Sequence, residues 1–321
     1  MKLVHLCLSS HDEVMFRSRE DLIFGQNSYA VANMETDSKA LCASFLSTHF
    51  HGVSMTDDPR YLMFRSRNYI SRHFNGKYRR RGRLGEKVFF LLEMVGARHI
   101  IAGCSYVFRQ GVHHGLTDTP FGYEFCSVNS LFRKELGKDF TPPSIADSLR
   151  CRSLPSNVRI PSRYRMDENG LLFPEDVFDT AYMENLYVSP RNFLFQMNRK
   201  SGEEWVREQI EEAPGSPVIT LDLIEKGVSD ADVPAMLRNE AGRNSYRSMT
   251  DIDLCQLIDQ KYVPRYVSFD GATIYDLSES QRADLGNRLS ADLRNSRQMK
   301  RSGEFSLYVS DNQIRRCAIT K

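Results

Sequence analysis

No apolar run in the chain is long enough to cross a bilayer. The most apolar stretch, Val88 to Ala97, is broken by Glu93, whereas a spanning helix needs about 20 largely apolar residues. The opening residues, Met1 to Leu8, are too short in their apolar part for a signal peptide. Both absences lead to the expectation of a soluble, cytoplasmic protein with no membrane partner. Paired cysteines are missing as well. The seven cysteines (Cys7, Cys42, Cys104, Cys126, Cys151, Cys255 and Cys317) are scattered, odd in number and never in a C-x-x-C pair. That excludes a zinc knuckle and argues against a disulfide framework, leaving buried thiols in a reducing compartment. No internal repeat or low-complexity tract is evident. Net charge is lacking too: 43 basic against 41 acidic side chains leave only +2, a total that says nothing about partners. What is present is core-forming material, with 41% hydrophobic residues, 19 Phe and 14 Tyr. Such a chain is not disordered, and 321 residues favour two domains over one.

In chain order, Leu3 to Leu8 reads as a short strand. Residues from about Arg19 to Ala32 have helical spacing, with Leu22, Ile23, Tyr29 and Ala30 as core positions. Ala40 to Met55 is long enough for one strand, or for two with a bulge. Its odd positions (Leu41, Ala43, Phe45, Ser47, His49, His51, Val53 and Met55) make a mostly apolar face that another element should cover. Asp58-Pro59 opens a helix, with Asp58 as N-cap and Pro59 in the first turn, and the helix runs to about Phe74. Val88 to Leu92 reads as a strand or the start of a helix. Residues from about Ala97 to Val112 read as one helix, its end marked by Gly111 and Gly115. Thr117 to Phe132 is a closing loop and short helix. The stretch from about Asp139 to Asp167 has few regular patterns and reads as a linker. Beyond it, Phe173 to Tyr187, Ser201 to Glu212, Asp251 to Gln260 with Thr250 as N-cap, Ser278 to about Arg294, and the capped segment Ser310 to Cys317 all read as helical.

Charge is uneven along the chain. Between Arg60 and Arg83 lie nine basic residues and no acidic one, with Tyr61, Tyr69 and Tyr78 interleaved. A solvated helix face is one reading of such a run; a surface for a phosphate backbone is the other. On the second reading Arg72, Lys77, Arg79, Arg80, Arg81 and Arg83 contact nucleic acid. The C-terminal segment with Arg315 and Arg316 resembles the second helix of a helix-turn-helix, whose first residues face base edges.

His49 and His51 flank Phe50 in a run with strand character, so both imidazoles leave one face. Tyr106 and Gln110 are four residues apart on a helix and therefore stack on one face. If that helix covers the histidine face, the four side chains form one site. Two imidazoles and an amide can hold a divalent cation such as Mg²⁺ or Mn²⁺, and a tyrosine beside it is a sensible nucleophile toward phosphorus. Each residue also has a plain structural reading: half-buried histidines, a core tyrosine, a surface glutamine. His113 and His114 suit a helix C-terminus, and are also candidate phosphate contacts.

This order (His-hydrophobic-His, a basic helix, then Tyr-x-x-x-polar leading into Gly111-Val112-His113-His114-Gly115-Leu116) resembles the single-tyrosine HUH endonucleases. Closest in pattern are insertion-sequence transposases and their relatives associated with repetitive extragenic palindromes. Tyr106-Val107-Phe108-Arg109-Gln110-Gly111-Val112 is similar to the family's Tyr-Ile-x-x-Asn-Pro-Val segment, whose tyrosine is the nucleophile. The resemblance covers about residues 1–132. Ser47-Thr48 stands where the family has Pro-Asn, and Gln110-Gly111 where it has Asn-Pro. The long C-terminal part has no counterpart in the short members.

The resemblance implies an α+β fold: an antiparallel sheet, ferredoxin-like or RRM-like, with helices packed on one face, over residues 1–138. A linker over 139–168 and a mainly helical domain over 169–321 would follow. It also implies a transposase that cleaves and rejoins single-stranded or hairpin DNA. Tyr106 would attack a phosphodiester and leave a 5′-phosphotyrosyl adduct, with Mg²⁺ or Mn²⁺ on His49, His51 and Gln110. Family members that share a tyrosine helix between subunits are homodimers, and others act as monomers. The rival readings are a domesticated, non-catalytic DNA-binding protein that keeps the fold, and a protein whose basic run is only a solvated face.

Overall fold

The run from Ala40 to Met55 folds back on itself. In this computed structural model, which describes residues 1–138, 152–198, 249–299 and 309–319, two strands form an antiparallel hairpin. They are β2 (Lys39–Phe45) and β3 (His49–Thr56), joined by Leu46-Ser47-Thr48. Leu46 N–H donates to His49 O at 2.8 Å and closes the turn. A bulge between Ala40 and Cys42 shifts the register once more. Turn and bulge together break the continuous odd-numbered face expected of a single strand. Phe45 stacks on Phe50 at 4.6 Å, on the face opposite Val53.

β1 (Lys2–Ser9) lies between β3 and a short β4 (Phe90–Glu93), giving a four-stranded antiparallel sheet in the order β2-β3-β1-β4. Val4, Leu6 and Leu8 of β1 and Phe50 of β3 point to one face. There α1 (Arg19–Glu35) and α2 (Pro59–Tyr78) pack with Leu22, Ile23, Tyr29, Leu62, Ile70 and Phe74. This is the α+β layer expected. The other face is covered too: Cys7, Leu41 and Val53 lie under α3 (Ala97–Phe108) through Ile100, Cys104 and Val107. After a break at Arg109 comes α4 (Gln110–His113), where the sequence reads as one uninterrupted helix.

α1 buries thirteen of its seventeen residues, so no single apolar stripe is visible in it. Its outer side is covered by residues 152–173. Asn27 donates to Ser153 O and Gly170 O, both at 2.8 Å, and accepts from Leu172 N at 3.0 Å. Ala30 packs against Tyr164, Met166 and Leu172. Farther on come α5 (Pro174–Val177), α6 (Thr180–Tyr187) and α7 (Pro190–Asn198). Met183, Tyr187 and Phe193 join the layer beneath α3. Described residues between 152 and 198 thus pack against the sheet layers of the first unit. The helix expected over Ser201 to Glu212 lies outside the described residues.

The C-terminal unit contains α8 (Asp251–Leu257), α9 (Glu279–Met299) and α10 (Asp311–Ala318) around Leu254, Ile258, Leu285, Leu289, Ile314 and Cys317. Thr250 and Ser310 cap α8 and α10 as their sequence spacing predicts. Val14 of the first unit inserts into this core.

The start of α1 illustrates how polar groups tie the layers together. Ser18 and Asp21 form a reciprocal capping box. The buried Asp21 carboxylate also accepts from Tyr78 Oη at 2.6 Å, Lys77 Nζ at 2.8 Å and Arg17 N at 2.9 Å, and lies 3.2 Å from His73 Nε2. Burial pushes this carboxyl up, but the bonds from His73, Lys77 and Tyr78 outweigh it and hold the pKa at about 2 against an ordinary 3.8. A folded-state value below the unfolded one stabilises the protein above the ordinary value, and that stability is lost as pH falls through about 2. The difference is worth about 2 kcal/mol. Asp21→Asn is expected to remove about that much at neutral pH and to flatten the acid limb of stability between about pH 4 and 2. Urea unfolding at a series of pH values measures both.

Candidate active site

Alternation along β3 sends His49 and His51 to the α3 side and Phe50 to the other, and both imidazoles are buried. The antiparallel register with β1 sets Ser9 opposite His49, Cys7 opposite His51, and His5 opposite Val53. His5 therefore shares the face, and its Nε2 lies 3.1 Å from His51 Nδ1. Sequence reasoning missed His5. Its one signal was a lone histidine alternating with Val4 and Leu6, and only strand pairing tells which face that residue meets.

Tyr106, on α3, meets His51 edge-on at 5.4 Å between ring centroids and His5 at 5.9 Å. Arg109 N–H donates to the carbonyls of Ser105 and Tyr106 and ends α3. The break does not separate the expected pair, because Gln110 Nε2 donates back to Tyr106 O at 3.4 Å. Gly111 follows, where a Cβ would come within 2.7 Å of Tyr123 Cβ. Tyr123 is fixed there by donating to Phe45 O at 2.5 Å, so the close approach requires glycine. On α4 and its cap, His114 comes within 5.0 Å of His49 and 5.1 Å of His113, and His113 within 6.3 Å of Tyr106. Five of the eight histidines, with Tyr106 and Gln110, thus form one contiguous cluster.

The electrostatics follow from burial. It pushes His5 down to about 3 and His51 well below the ordinary histidine range, and His51 is lowered further by its histidine neighbours. His114 is held low by burial first, then by His49, His113 and the charge of Arg316 on α10. Neutral imidazole is the form that donates a lone pair to a metal. His51 Nε2 and Gln110 Oε1 are buried and make no hydrogen bond, a state that costs roughly 1–3 kcal/mol per group. Among the described residues no three His, Cys, Asp or Glu side chains form a ready metal cage. Any cation here would draw on the Gln110 amide beside the imidazoles.

Ser47-Thr48, where the resembling family has Pro-Asn, is the turn that leads into His49, and it is held from several sides. Thr48 Oγ1 lies 3.0 Å from His49 Nδ1. Ser10 and Phe16 donate backbone N–H to Thr48 O and Ser47 O at 2.9 Å each. Ser47 Oγ donates to Asp251 Oδ2 of the C-terminal unit at 2.6 Å.

The expected nucleic-acid residues divide. They lie mainly on α2 and its loop, across the sheet from Tyr106. Lys77 is bound to Asp21 and Ser18. Arg79 pairs with Asp276 at 2.6 Å and donates to Gly271 O at 2.7 Å. Arg80 pairs with Glu13, which also accepts from Tyr275 Oη at 3.0 Å. These three fasten the molecule to itself. Arg72, Arg81 and Arg83 are exposed. On α10, Arg315 is exposed, while Arg316 is half-buried on the His114 side.

No family model and no curated protein sequence matches this chain. A solved structure of a REP-associated tyrosine transposase bound to a REP hairpin aligns with 44% of this chain and 82% of its own, at 10% identity and a TM-score of 0.36. An overlap that loose transfers no residue roles. No helix among the described residues is long and apolar enough to cross a membrane.

Proposed function

We propose that this protein cuts and rejoins single-stranded DNA in the manner of a single-tyrosine transposase, with Tyr106 as nucleophile. The observation that carries the reading is the meeting of Tyr106 with two buried lone-pair atoms lacking hydrogen bonds, His51 Nε2 and Gln110 Oε1. A buried atom of that kind is a standing cost unless a ligand relieves it.

Tyr106 Oη loses its proton as it attacks phosphorus, and the bond from phosphorus to the 3′ oxygen breaks. A free 3′-OH and a 5′-phosphotyrosyl adduct result. Attack of a 3′-OH on the adduct reverses the step, so the ester energy is retained and no nucleotide triphosphate is needed. His49, His51 and Gln110 fit a divalent cation; Mg²⁺ or Mn²⁺, when bound, would polarise the phosphate. A donor set with imidazoles and no carboxylate suits Mn²⁺ better than Mg²⁺. His5 holds the Nδ1 edge of His51, which leaves Nε2 turned to the ligand side.

The non-catalytic alternative draws on a different observation: Tyr106 is only 7% exposed and His51 fully buried. A binder that never presents the phenol to a strand would look the same. The experiment that tests both incubates labelled single-stranded and hairpin oligonucleotides with the protein in Mn²⁺ or EDTA. A denaturation-resistant adduct formed only with the metal is expected. Salt-sensitive binding that ignores EDTA, with no adduct, favours the binder. No binding at moderate salt sinks both.

A further inference from the structure

On the far side of the sheet from Tyr106, the outer surface of α2 and the loop after it form an open pocket of about 420 Å³. Four arginines line it, Arg65, Arg67, Arg72 and Arg83, and no acidic side chain does. Arg65 is already balanced by Glu35, which also accepts from Tyr69 Oη at 2.6 Å. The other three form no ion pair among the described residues. Arg67 donates through Nη1 to Glu86 O at 3.0 Å and lies 4.4 Å over the Phe89 ring, which leaves its charge without a counterion. Burial lowers the pKa of Arg67, and the charge of Arg83 lowers it further. The charge of Arg83 thus acts against that of Arg67, and an anion between them offsets the repulsion.

The pocket is built rather than incidental. Arg79 and Gly82 take up positive φ, +54° and +95°, and turn the chain back over α2. Asn75 Nδ2 then donates to Gly82 O at 2.7 Å, and Leu84 N donates to Ser71 Oγ at 3.2 Å. Arg80, anchored on Glu13, donates to Arg83 O at 3.1 Å. Arg83 is therefore carried on a loop fastened at three points; its own Nε adds a long bond to Gly85 O at 3.3 Å, and its charge has no acidic partner among the described residues. Preorganised donors of this sort lose little entropy on binding.

We infer that this pocket binds a backbone phosphate of a nucleic-acid strand, as a holding site separate from the Tyr106 cluster. Bidentate guanidinium donors match phosphate oxygens, and an open groove with arginines at its edge tracks a strand without reading bases. The inference rests on the DNA-handling part of the proposed function and is independent of its chemistry.

The test uses full-length protein in EDTA, so that binding is read without cleavage. Fluorescence anisotropy with labelled single-stranded and hairpin oligonucleotides is compared for the wild type and the double variant Arg72→Ala, Arg83→Ala. Both side chains are exposed and only the long Arg83 Nε bond to Gly85 O is given up, so the urea midpoint should barely move. Affinity is expected to fall about tenfold for all sequences alike, with the salt dependence reduced by about 1–2 in slope. Arg72→Lys, Arg83→Lys should recover most of the slope. Unchanged affinity and slope in the alanine variant overturn the inference. So does a variant that loses binding of inorganic pyrophosphate but keeps DNA binding, since the pocket would then serve a small phosphate ester. A parallel adduct assay in Mn²⁺ keeps the two readings apart. Adduct formation with unaltered binding in the variant removes the pocket alone; binding lost in the variant without any wild-type adduct removes the Tyr106 chemistry alone.

Discussion

Arg17→Met is expected to lower the unfolding free energy by about 3 kcal/mol, the largest stability effect of any single change considered. The Arg17 side chain is 1% exposed and lies where the two units meet. Through Nη2 it binds both carboxylate oxygens of Asp259, at 3.1 and 3.0 Å, and through Nη1 it donates to Cys317 O at 3.2 Å. Its guanidinium lies 5.7 Å from the Tyr78 ring and 5.4 Å from the Tyr275 ring. Methionine fills the same channel but supplies no donor. Asp259 would then keep only the 3.1 Å bond from Ile274 N, and the Cys317 carbonyl at the end of α10 would lose its donor. Removing one partner of a buried pair costs more than the pair contributes, because the other charge is left behind. Asp259 retains 21% exposure, which tempers the figure. The measurement is the urea midpoint, with hydrogen exchange on α8 and α10 as a second readout. Exchange that rises there before the rest of the chain unfolds is the expected signature of a loosened C-terminal unit. A midpoint within about 0.5 kcal/mol of wild type would mean that the interface is held elsewhere.

The same contact explains what could and could not be read from the residues in order. Local rules worked where the cause is local. The Asp58-Pro59 start of α2, the Thr250 and Ser310 caps, and the alternation that gives His49 and His51 a common face all rest on neighbours a few residues apart. The basic run failed as a single surface for the opposite reason. Its lack of acids is a fact about residues 60–83, while its counter-charges come from Glu13, Asp21 and Asp276. His5 stayed hidden because its place depends on pairing with a strand more than forty residues away. α1 was legible as a helix through Leu22, Ile23, Tyr29 and Ala30, all buried, but the cover that residues 152–173 lay over its outer side was not, because those residues carry no period of their own. The candidate site itself was legible in Tyr106, Gln110, His49 and His51. A four-residue helical spacing survived even the break at Arg109, since Gln110 remains bonded to the Tyr106 carbonyl.

On the proposed function, Tyr106→Phe should reduce the metal-dependent adduct to background while leaving the fold and DNA binding as they are. The substitution removes one oxygen and keeps the ring, and the ring makes the edge-on contacts to His51 and His5. The backbone carbonyl that receives Gln110 is also untouched. The variant therefore isolates the nucleophile from the packing around it. His51→Ala makes the complementary cut: Tyr106 is retained, but the buried Nε2 and the partner of His5 are lost. Its adduct should fail as well, and Mn²⁺, expected to raise the thermal midpoint of the wild type and of Tyr106→Phe, should not raise that of His51→Ala. The two variants together separate the possible roles. Adduct lost in both, with Mn²⁺ stabilisation lost only in His51→Ala, assigns attack to Tyr106 and metal holding to the histidine strand. Adduct persisting in Tyr106→Phe transfers the nucleophile to another residue, and the meeting of Tyr106 with His51 becomes packing. Stabilisation by Mn²⁺ that survives His51→Ala moves the cation off β3, and with it the reason for reading the buried histidines as anything other than core.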